Sequence, residues 1–143
     1  MSDEGAPRPV SPVLAGATNA KDRTLLIADD DAATRRLVLA TLASDRYTVL
    51  EAADGKEAWH LIREHKPAVA ILDWQMPVYT GLELTDVIKG DPLIRGMTVI
   101  LLTGRSGQAD RDAGARAHAD LYLVKPVAPQ DLLRVVEQAL SLH

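Results

Sequence analysis

Residues 25–36 read LLIADDDAATRR and decide how the rest of the chain is interpreted. An apolar run leads directly into three consecutive aspartates, Asp29, Asp30 and Asp31, and a helix-like segment follows at once. Like charges about 5 Å apart repel by roughly 3 kcal/mol per pair at an effective dielectric constant near 20. The fold must therefore either spread these carboxylates into water or place an opposite charge beside them.

Composition favours one globular domain and excludes several classes of function. The 143 residues are 47% hydrophobic and 25% charged, with a formal net charge of −4, and domains of this length are common. The absence of cysteine excludes disulfides, thiolate catalysis and zinc–thiolate sites. The acidic balance, without a basic stripe, predicts no direct contact with nucleic acid.

The amino-terminal segment carries no sign of a targeting or membrane element. MSDEGAPRPV lacks the basic start and apolar core of a signal peptide, and no apolar stretch approaches the roughly 18 residues that span a bilayer. We therefore expect a cytoplasmic protein without membrane contact. Residues 1–22, rich in Pro, Ala, Gly and Ser, are predicted to be a disordered tail, and residues 23–143 a single domain.

Short apolar runs alternate with amphipathic segments along residues 23–143. Most of the runs are continuously apolar, which is typical of strands that are buried on both faces. The predicted strands are Thr24–Ala28, Tyr47–Glu51, Val69–Leu72, Thr98–Leu102 and Leu121–Val124.

Between the strands, apolar residues recur with helical spacing. The predicted inner faces are Ala33, Leu37, Val38, Thr41 and Leu42 in the first helix, Ala58, Leu61 and Ile62 in the second, Leu84 and Ile88 in the third, and Leu132, Leu133, Val136 and Leu140 in the last. A fourth helix, predicted over 107–117, has little apolar stripe. Asp54 and Glu57 have the spacing of a capping box at the start of the second helix.

The alternation of strands and helices predicts a mostly parallel sheet with helices on both faces. Right-handed crossovers leave few topologies, and five short strands favour the flavodoxin-like order 2-1-3-4-5. We therefore predict an α/β fold, a doubly wound five-stranded parallel sheet with five helices. In this order a ligand cleft lies at the carboxyl ends of strands 1 and 3, where the winding direction reverses.

Polar side chains interrupt the strands at their carboxyl ends. Asp29 and Asp30 follow strand 1, and Asp73, Thr103 and Lys125 mark the ends of strands 3, 4 and 5. These tips converge on one cleft that holds several carboxylates, one hydroxyl and one ammonium. Clustered oxygen ligands suit Mg²⁺, which prefers octahedral oxygen coordination. A cation shared with Asp73 would explain why the aspartate run is tolerated, whereas Asp31 is better explained as a helix cap.

Four segments together resemble the receiver domain of two-component response regulators. They are ADDD…RR, LDWQMPVYTGLEL, ILLTGRS and YLVKPV, in this order and at matched strand ends. The resemblance covers about residues 23–143, and although each segment alone is a weak signal, the four in combination are strong.

The resemblance implies a role for each residue at the strand tips. Asp73 would be the phosphoacceptor, with Mg²⁺ held by Asp30, by Asp73 and by the backbone carbonyl of Gln75. Asp29 would contact the Mg²⁺ directly or through water. Lys125 would contact the phosphoryl group, and its peptide bond to Pro126 would be cis. Thr103 and Tyr122 would form the switch pair.

The resemblance also implies the partners. The phosphoryl donor would be a sensor histidine kinase or a phosphotransfer protein, and the chain would assist its own phosphorylation and dephosphorylation without being an enzyme that turns over a substrate. If the chain is complete, its output would be protein contact, including a phosphorylation-dependent homodimer through the fourth helix, strand 5 and the fifth helix. If it comes from a longer regulator, another domain would carry the output.

Two other readings of the same residues stay open at this point. A phosphatase of the haloacid-dehalogenase type also uses a strand-tip aspartate and Mg²⁺, but it requires Asp-x-Asp-x-Thr/Val, and DDDAAT places Ala33 in the final position. A degenerate receiver that binds partners without phosphorylation would lack a tip residue, and none is missing here. Catalytic turnover of a phosphomonoester, a single modification of the protein, or neither would distinguish the three.

Overall fold

The computed structural model describes residues 23–43, 46–104 and 118–142. Its elements are β1 Thr24–Ala28, α1 Ala32–Leu42, β2 Thr48–Ala52, α2 Gly55–His65, β3 Val69–Asp73, α3 Gly81–Gly90, β4 Thr98–Thr103, β5 Leu121–Val124 and α4 Pro129–Leu140. The strands form one parallel sheet in the order β2-β1-β3-β4-β5, which confirms the predicted topology. The helix predicted over 107–117 and the tail 1–22 lie outside the described residues. The label α4 therefore denotes the helix that the sequence predicts as the fifth.

The three central strands are buried because helices cover both faces of the sheet. Every residue of β3 and β4 is buried, as are the last four residues of β1. Alternate residues point to opposite faces, so Leu25 and Ile27 belong to one core cluster and Leu26 and Ala28 to the other. This explains why the strands read as continuous apolar runs.

Each core cluster is closed by two helices. Buried residues of α1 and α4 complete the first cluster, and those of α2 and α3 complete the second. The prediction of the inner faces was wrong at Ala33 and at Leu133, which are both exposed. Successive helical residues are turned by about 100°, so Leu133 points away from the sheet while its neighbour Leu132 is buried. None of the described helices has the length and apolar character required to cross a membrane.

Three strands have bounds that differ by one residue from the prediction. The second strand is Thr48–Ala52 rather than Tyr47–Glu51, because the parallel register pairs Ala28 with Ala52 and Asp29 N–H donates to the Ala52 carbonyl at 3.1 Å. β3 and β4 likewise extend to Asp73 and Thr103. Both of these polar residues therefore belong to the ordered ladder of the sheet.

Side chains fix where two helices begin. Asp54 caps α2 as predicted, accepting from Glu57 N–H at 2.8 Å, but the Glu57 carboxylate reaches one residue further back than expected and accepts from Ala53 N–H at 2.8 Å. Thr80 and Glu83 form a complete capping box at α3. These caps fix α2 and α3 directly beside the segment that follows β3.

Candidate functional site

Three carboxylates meet at the carboxyl edge of the sheet. The parallel register pairs Ala28 of β1 with Leu72 of β3, so that Asp29 and Asp73 emerge side by side. Asp29 and Asp73 are buried, and Asp30 is exposed. One oxygen from each of the three carboxylates lies within 4.8 Å of the others.

The ammonium of Lys125 provides the positive charge beside these carboxylates. Lys125 follows β5 directly, and its Nζ lies 2.7 Å from Asp29 Oδ2 and 3.3 Å from Asp73 Oδ1. The contact with Asp29 is a charge pair, since Oδ2 accepts no well-aligned hydrogen bond from the described residues. Lys125 N–H donates to the Thr103 carbonyl at 2.8 Å, and the Lys125–Pro126 peptide bond is cis, as the resemblance implies.

The charges of the cluster shift one another's protonation. Burial first, and then the charge of Asp29, raises the pKa of Asp73 from 3.8 to about 6, against the opposing effect of Lys125. Burial alone would lower the pKa of Lys125, but its close contact with Asp29 and the charge of Asp73 outweigh burial and raise it. At neutral pH, Asp73 is therefore mostly ionised and Lys125 is protonated.

Thr103 and Tyr122 lie on the neighbouring strands β4 and β5. Thr103 is buried, and its Oγ1 has no hydrogen-bond partner among the described residues. Tyr122 is half-buried, and burial raises the pKa of its phenol. The register places Tyr122 beside Leu101 and Thr103 beside Val124. The structure thus places the predicted switch pair on adjacent strands, with Tyr122 two register positions before Thr103.

The segment after Asp73, which carries Gln75, is held by backbone hydrogen bonds on both sides. Trp74 N–H donates to the Leu102 carbonyl at 2.8 Å, and Gly55 N–H, at the start of α2, donates to the Pro77 carbonyl at 3.0 Å. A side chain cannot replace the hydrogen of Gly55, because a Cβ would lie 2.1 Å from the Tyr79 carbonyl oxygen. This close approach fixes the position of the Gln75 segment relative to Asp73.

Residues 25–137 match the protein family described as the response regulator receiver domain. This chain belongs to that family. Its relatives include a chemotaxis protein CheY homolog from Campylobacter jejuni, which is 36% identical over 119 residues, 82% of this chain and 92% of the relative. The phosphate regulon transcriptional regulatory protein PhoB of Pseudomonas aeruginosa is 33% identical over 111 residues, 78% of this chain and 48% of PhoB. This receiver domain therefore spans about half the length of PhoB and nearly all of the CheY homolog.

Solved structures agree with the family assignment. A CheY-like response regulator receiver domain protein from Methanospirillum hungatei is 31% identical, with a TM-score of 0.76, and the match covers 83% of this chain and 94% of that protein. The chemotaxis response regulator CheY4 of Vibrio cholerae is 30% identical, also with a TM-score of 0.76, over 81% and 97% of the two chains.

The donor set of this receiver domain fits a hard divalent cation. Each member of the cluster offers carboxylate oxygen, the ligand that Mg²⁺ prefers. Asp29 Oδ2 is buried, and no donor in the described part of the chain makes an aligned hydrogen bond to it. Its lone pairs are therefore not used in such a bond. Three carboxylates beside one ammonium also leave a local excess of negative charge that a cation would offset.

Asp31 of the receiver domain serves its helix. Its carboxylate accepts from Ala33 N–H at 3.2 Å and from Thr34 Oγ1 at 2.8 Å, at the amino terminus of α1. The bond from Thr34 and then that from Ala33 hold the pKa of Asp31 below its usual value. The cap that the sequence favoured for Asp31 is confirmed.

Sequence reasoning missed Arg35 as a residue of the site. Arg35 Nη1 donates to the backbone carbonyl of Asp29 at 2.7 Å, and its Nε donates to Glu51 Oε1 at 3.1 Å. The signal available in the sequence was an arginine one helical turn into α1, four residues after the last of the three aspartates. That signal does not distinguish a side chain that turns back toward the strand end from one in solvent.

Proposed function

We propose that this receiver domain accepts a phosphoryl group on Asp73 from a phosphohistidine of a sensor kinase or phosphotransfer protein. The observation that carries the proposal is the placement of Asp73, a buried carboxylate, between the Lys125 ammonium and two further carboxylates. A pKa of about 6 leaves Asp73 mostly ionised at neutral pH. Its oxygen is therefore available as the nucleophile.

The transfer forms one bond and breaks one. An Asp73 carboxylate oxygen attacks phosphorus while the phosphorus–nitrogen bond of the donor histidine breaks, and the electron pair stays on the imidazole nitrogen. The product is an acyl phosphate on Asp73. Phosphoryl transfer depends mainly on positioning and on neutralising charge on the phosphoryl oxygens, so Lys125 and the Thr103 hydroxyl would each contact one of these oxygens.

We assign the Mg²⁺ ligands to Asp30, Asp73 and the backbone carbonyl of Gln75, with Asp29 acting directly or through water. The bound ion would neutralise charge on the phosphoryl oxygens and orient them for in-line transfer. The buried lone pairs of Asp29 and the fixed position of the Gln75 segment support this assignment.

The new phosphoryl group would act through Thr103. Thr103 Oγ1 is buried without a partner among the described residues, so a movement toward a phosphoryl oxygen gains a hydrogen bond without breaking one. Tyr122, on the adjacent strand, would then turn into the space that Thr103 leaves. The resulting surface would include β5 and α4, and it would bind a partner protein or a second copy.

We propose this exchange as a cytoplasmic signalling step rather than enzymatic turnover. One phosphoryl group enters at Asp73, and the chain assists its own dephosphorylation, in which water takes up the phosphoryl group, inorganic phosphate leaves and the Asp73 carboxylate is restored. A phosphatase of the haloacid-dehalogenase type would instead hydrolyse many phosphomonoester molecules per chain. Direct contact with nucleic acid is not part of the proposal, because the chain carries a net charge of −4.

Intact-mass analysis tests the phosphoacceptor. With acetyl phosphate and Mg²⁺, the wild-type chain should gain one acid-stable, base-labile phosphoryl group, and Asp73→Asn should gain none. Asp86→Asn, which changes an exposed carboxylate of α3, should label like the wild type. Full labelling of Asp73→Asn would overturn the assignment, and continuous release of inorganic phosphate from a phosphomonoester would favour the phosphatase.

A further inference from the structure

Arg35 makes two charge-assisted contacts on the inner side of α1. Its Nη1 lies 2.7 Å from the Asp29 backbone carbonyl, and its Nε lies 3.1 Å from Glu51 Oε1 at the carboxyl end of β2. Its side chain is only 19% exposed. Arg35 therefore joins α1, the end of β1 and the end of β2 through one planar group.

The two acceptors of Arg35 are informative. A guanidinium that served only to offset the charge of the cluster would bind one of the cluster's own carboxylates, because a carboxylate is its strongest partner. Arg35 instead pairs with the carboxylate of Glu51, outside the cluster, and directs its shorter hydrogen bond to the backbone oxygen of Asp29. Glu51 binds the other edge of the guanidinium and fixes its orientation.

The Asp29 carbonyl belongs to the peptide unit that joins Asp29 to Asp30. The rest of Asp29 is already fixed, since its N–H donates to the Ala52 carbonyl at 3.1 Å and its Oδ1 accepts from Asp31 N–H at 2.9 Å. The bond from Arg35 fixes the remaining polar atom of this backbone. The orientation of that peptide in turn determines where the exposed Asp30 carboxylate can point.

We propose that Arg35 is a positioning residue for cation binding, which orients the Asp29–Asp30 peptide while Glu51 orients Arg35. The inference rests on the proposed Mg²⁺ site. It gives Arg35 an indirect role, because its contacts go to the Asp29 backbone and to Glu51.

Positioning and charge predict opposite results when Arg35 is replaced. If Arg35 were only a nearby positive charge, its removal would strengthen Mg²⁺ binding, by about twofold or less at roughly 10 Å in water with salt present. If Arg35 orients the peptide, its removal weakens binding, as the loss of outer-shell partners of metal ligands does, typically by about tenfold or more. A role in stability alone would lower the melting temperature and leave the affinity unchanged.

Arg36 offers a matched control because it is the next residue of α1, has the same charge and is exposed. Calorimetric titration of the full chain with Mg²⁺, without a phosphoryl donor, should show binding about tenfold weaker in Arg35→Met than in Arg36→Met. Glu51→Gln should fall between them, and Arg35→Lys should recover only part of the loss because an ammonium cannot make both contacts of the fork. In metal-free protein, the Asp30 amide resonance should shift in Arg35→Met and not in Arg36→Met.

The outcomes separate this inference from the proposed function. If the wild-type chain binds no Mg²⁺, the proposed cation site fails, and the inference fails with it. If the wild type binds and Arg35→Met binds as tightly as Arg36→Met or more tightly, the positioning role alone is overturned. Should Arg35→Met fail to fold, Arg35→Lys and Glu51→Gln decide, and wild-type affinity in both would overturn the role.

Discussion

Lys125 places its ammonium nitrogen 2.7 Å from Oδ2 of Asp29, which is the most deeply buried carboxylate of the cluster. The same ammonium is 3.3 Å from Asp73. In the metal-free protein, one cation therefore offsets two buried anions. The proposed divalent cation would compete with this ammonium for the same oxygens.

Replacing Lys125 should change stability and metal affinity in opposite directions. Lys125→Met leaves Asp29 buried without its counter-charge. We expect this to lower the free energy of unfolding of the metal-free protein by about 2 kcal/mol. This loss is smaller than the usual cost of breaking a fully buried pair, because Lys125 is partly exposed. Mg²⁺ should bind several-fold more tightly. Urea denaturation in EDTA and Mg²⁺ calorimetry measure the two effects, with the exposed Lys56→Met as the charge control. Weaker Mg²⁺ binding in Lys125→Met would contradict the competition.

The raised pKa of Asp73 predicts how stability depends on pH. In the unfolded chain the carboxyl loses its proton near 3.8, whereas in the folded chain it does so near 6. Between these values the folded state binds more protons, so that without metal the free energy of unfolding falls as pH rises and levels off above about 6. Asp73→Asn should thus be more stable than the wild type at pH 7 and similar to it below about pH 4.

Chemical denaturation in EDTA across this pH range checks the Asp73 prediction. The difference in unfolding free energy between Asp73→Asn and the wild type should grow between about pH 4 and 6. Asp86→Asn should show no such growth. Curves for Asp73→Asn and the wild type that stay parallel would show that the carboxyl titrates normally.

Mg²⁺ itself should stabilise the fold. A ligand that binds only the folded state raises the melting temperature by mass action, and the three clustered carboxylates supply the site. Asp30→Ala should raise the metal-free melting temperature, because it removes one of the like charges, and should abolish the response to Mg²⁺. A wild-type melting temperature that does not change with Mg²⁺ would argue against the site.

The proposed switch should be visible by NMR. Beryllofluoride, which mimics the phosphoryl group, should shift the amide resonances of Thr103 and Tyr122 and of residues in β5 and α4. We expect these shifts because Thr103 Oγ1 gains a hydrogen bond that it lacks among the described contacts. Light scattering of the same samples should show a monomer that gains weak self-association. Shifts confined to the neighbourhood of Asp73 would contradict the switch.

A second ion pair, remote from the site, should contribute to stability. Lys89 Nζ lies 2.7 Å from Asp120 Oδ2 and donates to the Met97 carbonyl at 2.7 Å, while the same carboxylate accepts from Val99 N–H at 2.8 Å. Lys89→Met should lower the free energy of unfolding by about 1–3 kcal/mol, since it leaves a half-buried carboxylate and a carbonyl without this donor. Thermal denaturation of Lys89→Met, Asp120→Asn and the double variant would measure the interaction energy between the two side chains. If the stability losses of the two single variants add up to that of the double variant, the pair contributes no such interaction.

The sequence predicted the topology because burial on both faces leaves a strong pattern. The bounds of β1 and β5 were predicted correctly, and polar residues marked the strand ends so clearly that Asp29, Asp73 and Lys125 could be expected to meet. Leu133 shows where the pattern stops, because a leucine on a helix adds to an apolar stripe whether it faces the core or solvent.

The contacts of Arg35 and of Lys89 could not be predicted from the sequence. Both depend on side-chain rotamers and on backbone carbonyls that are brought close only by the packed fold. Glu57, similarly, accepts from Ala53 rather than from the cap residue itself, and a spacing rule does not resolve this difference of one position.

The order of the site residues along the chain has a consequence for biosynthesis. Asp29, Asp30 and Asp73 leave the ribosome before Lys125, which arrives with the last strand. Nascent chains that stop short of β5 carry the clustered negative charge without the ammonium that pairs with it. The balanced cluster is therefore completed only when the sheet is complete, so that a product truncated before Lys125 cannot carry a finished site.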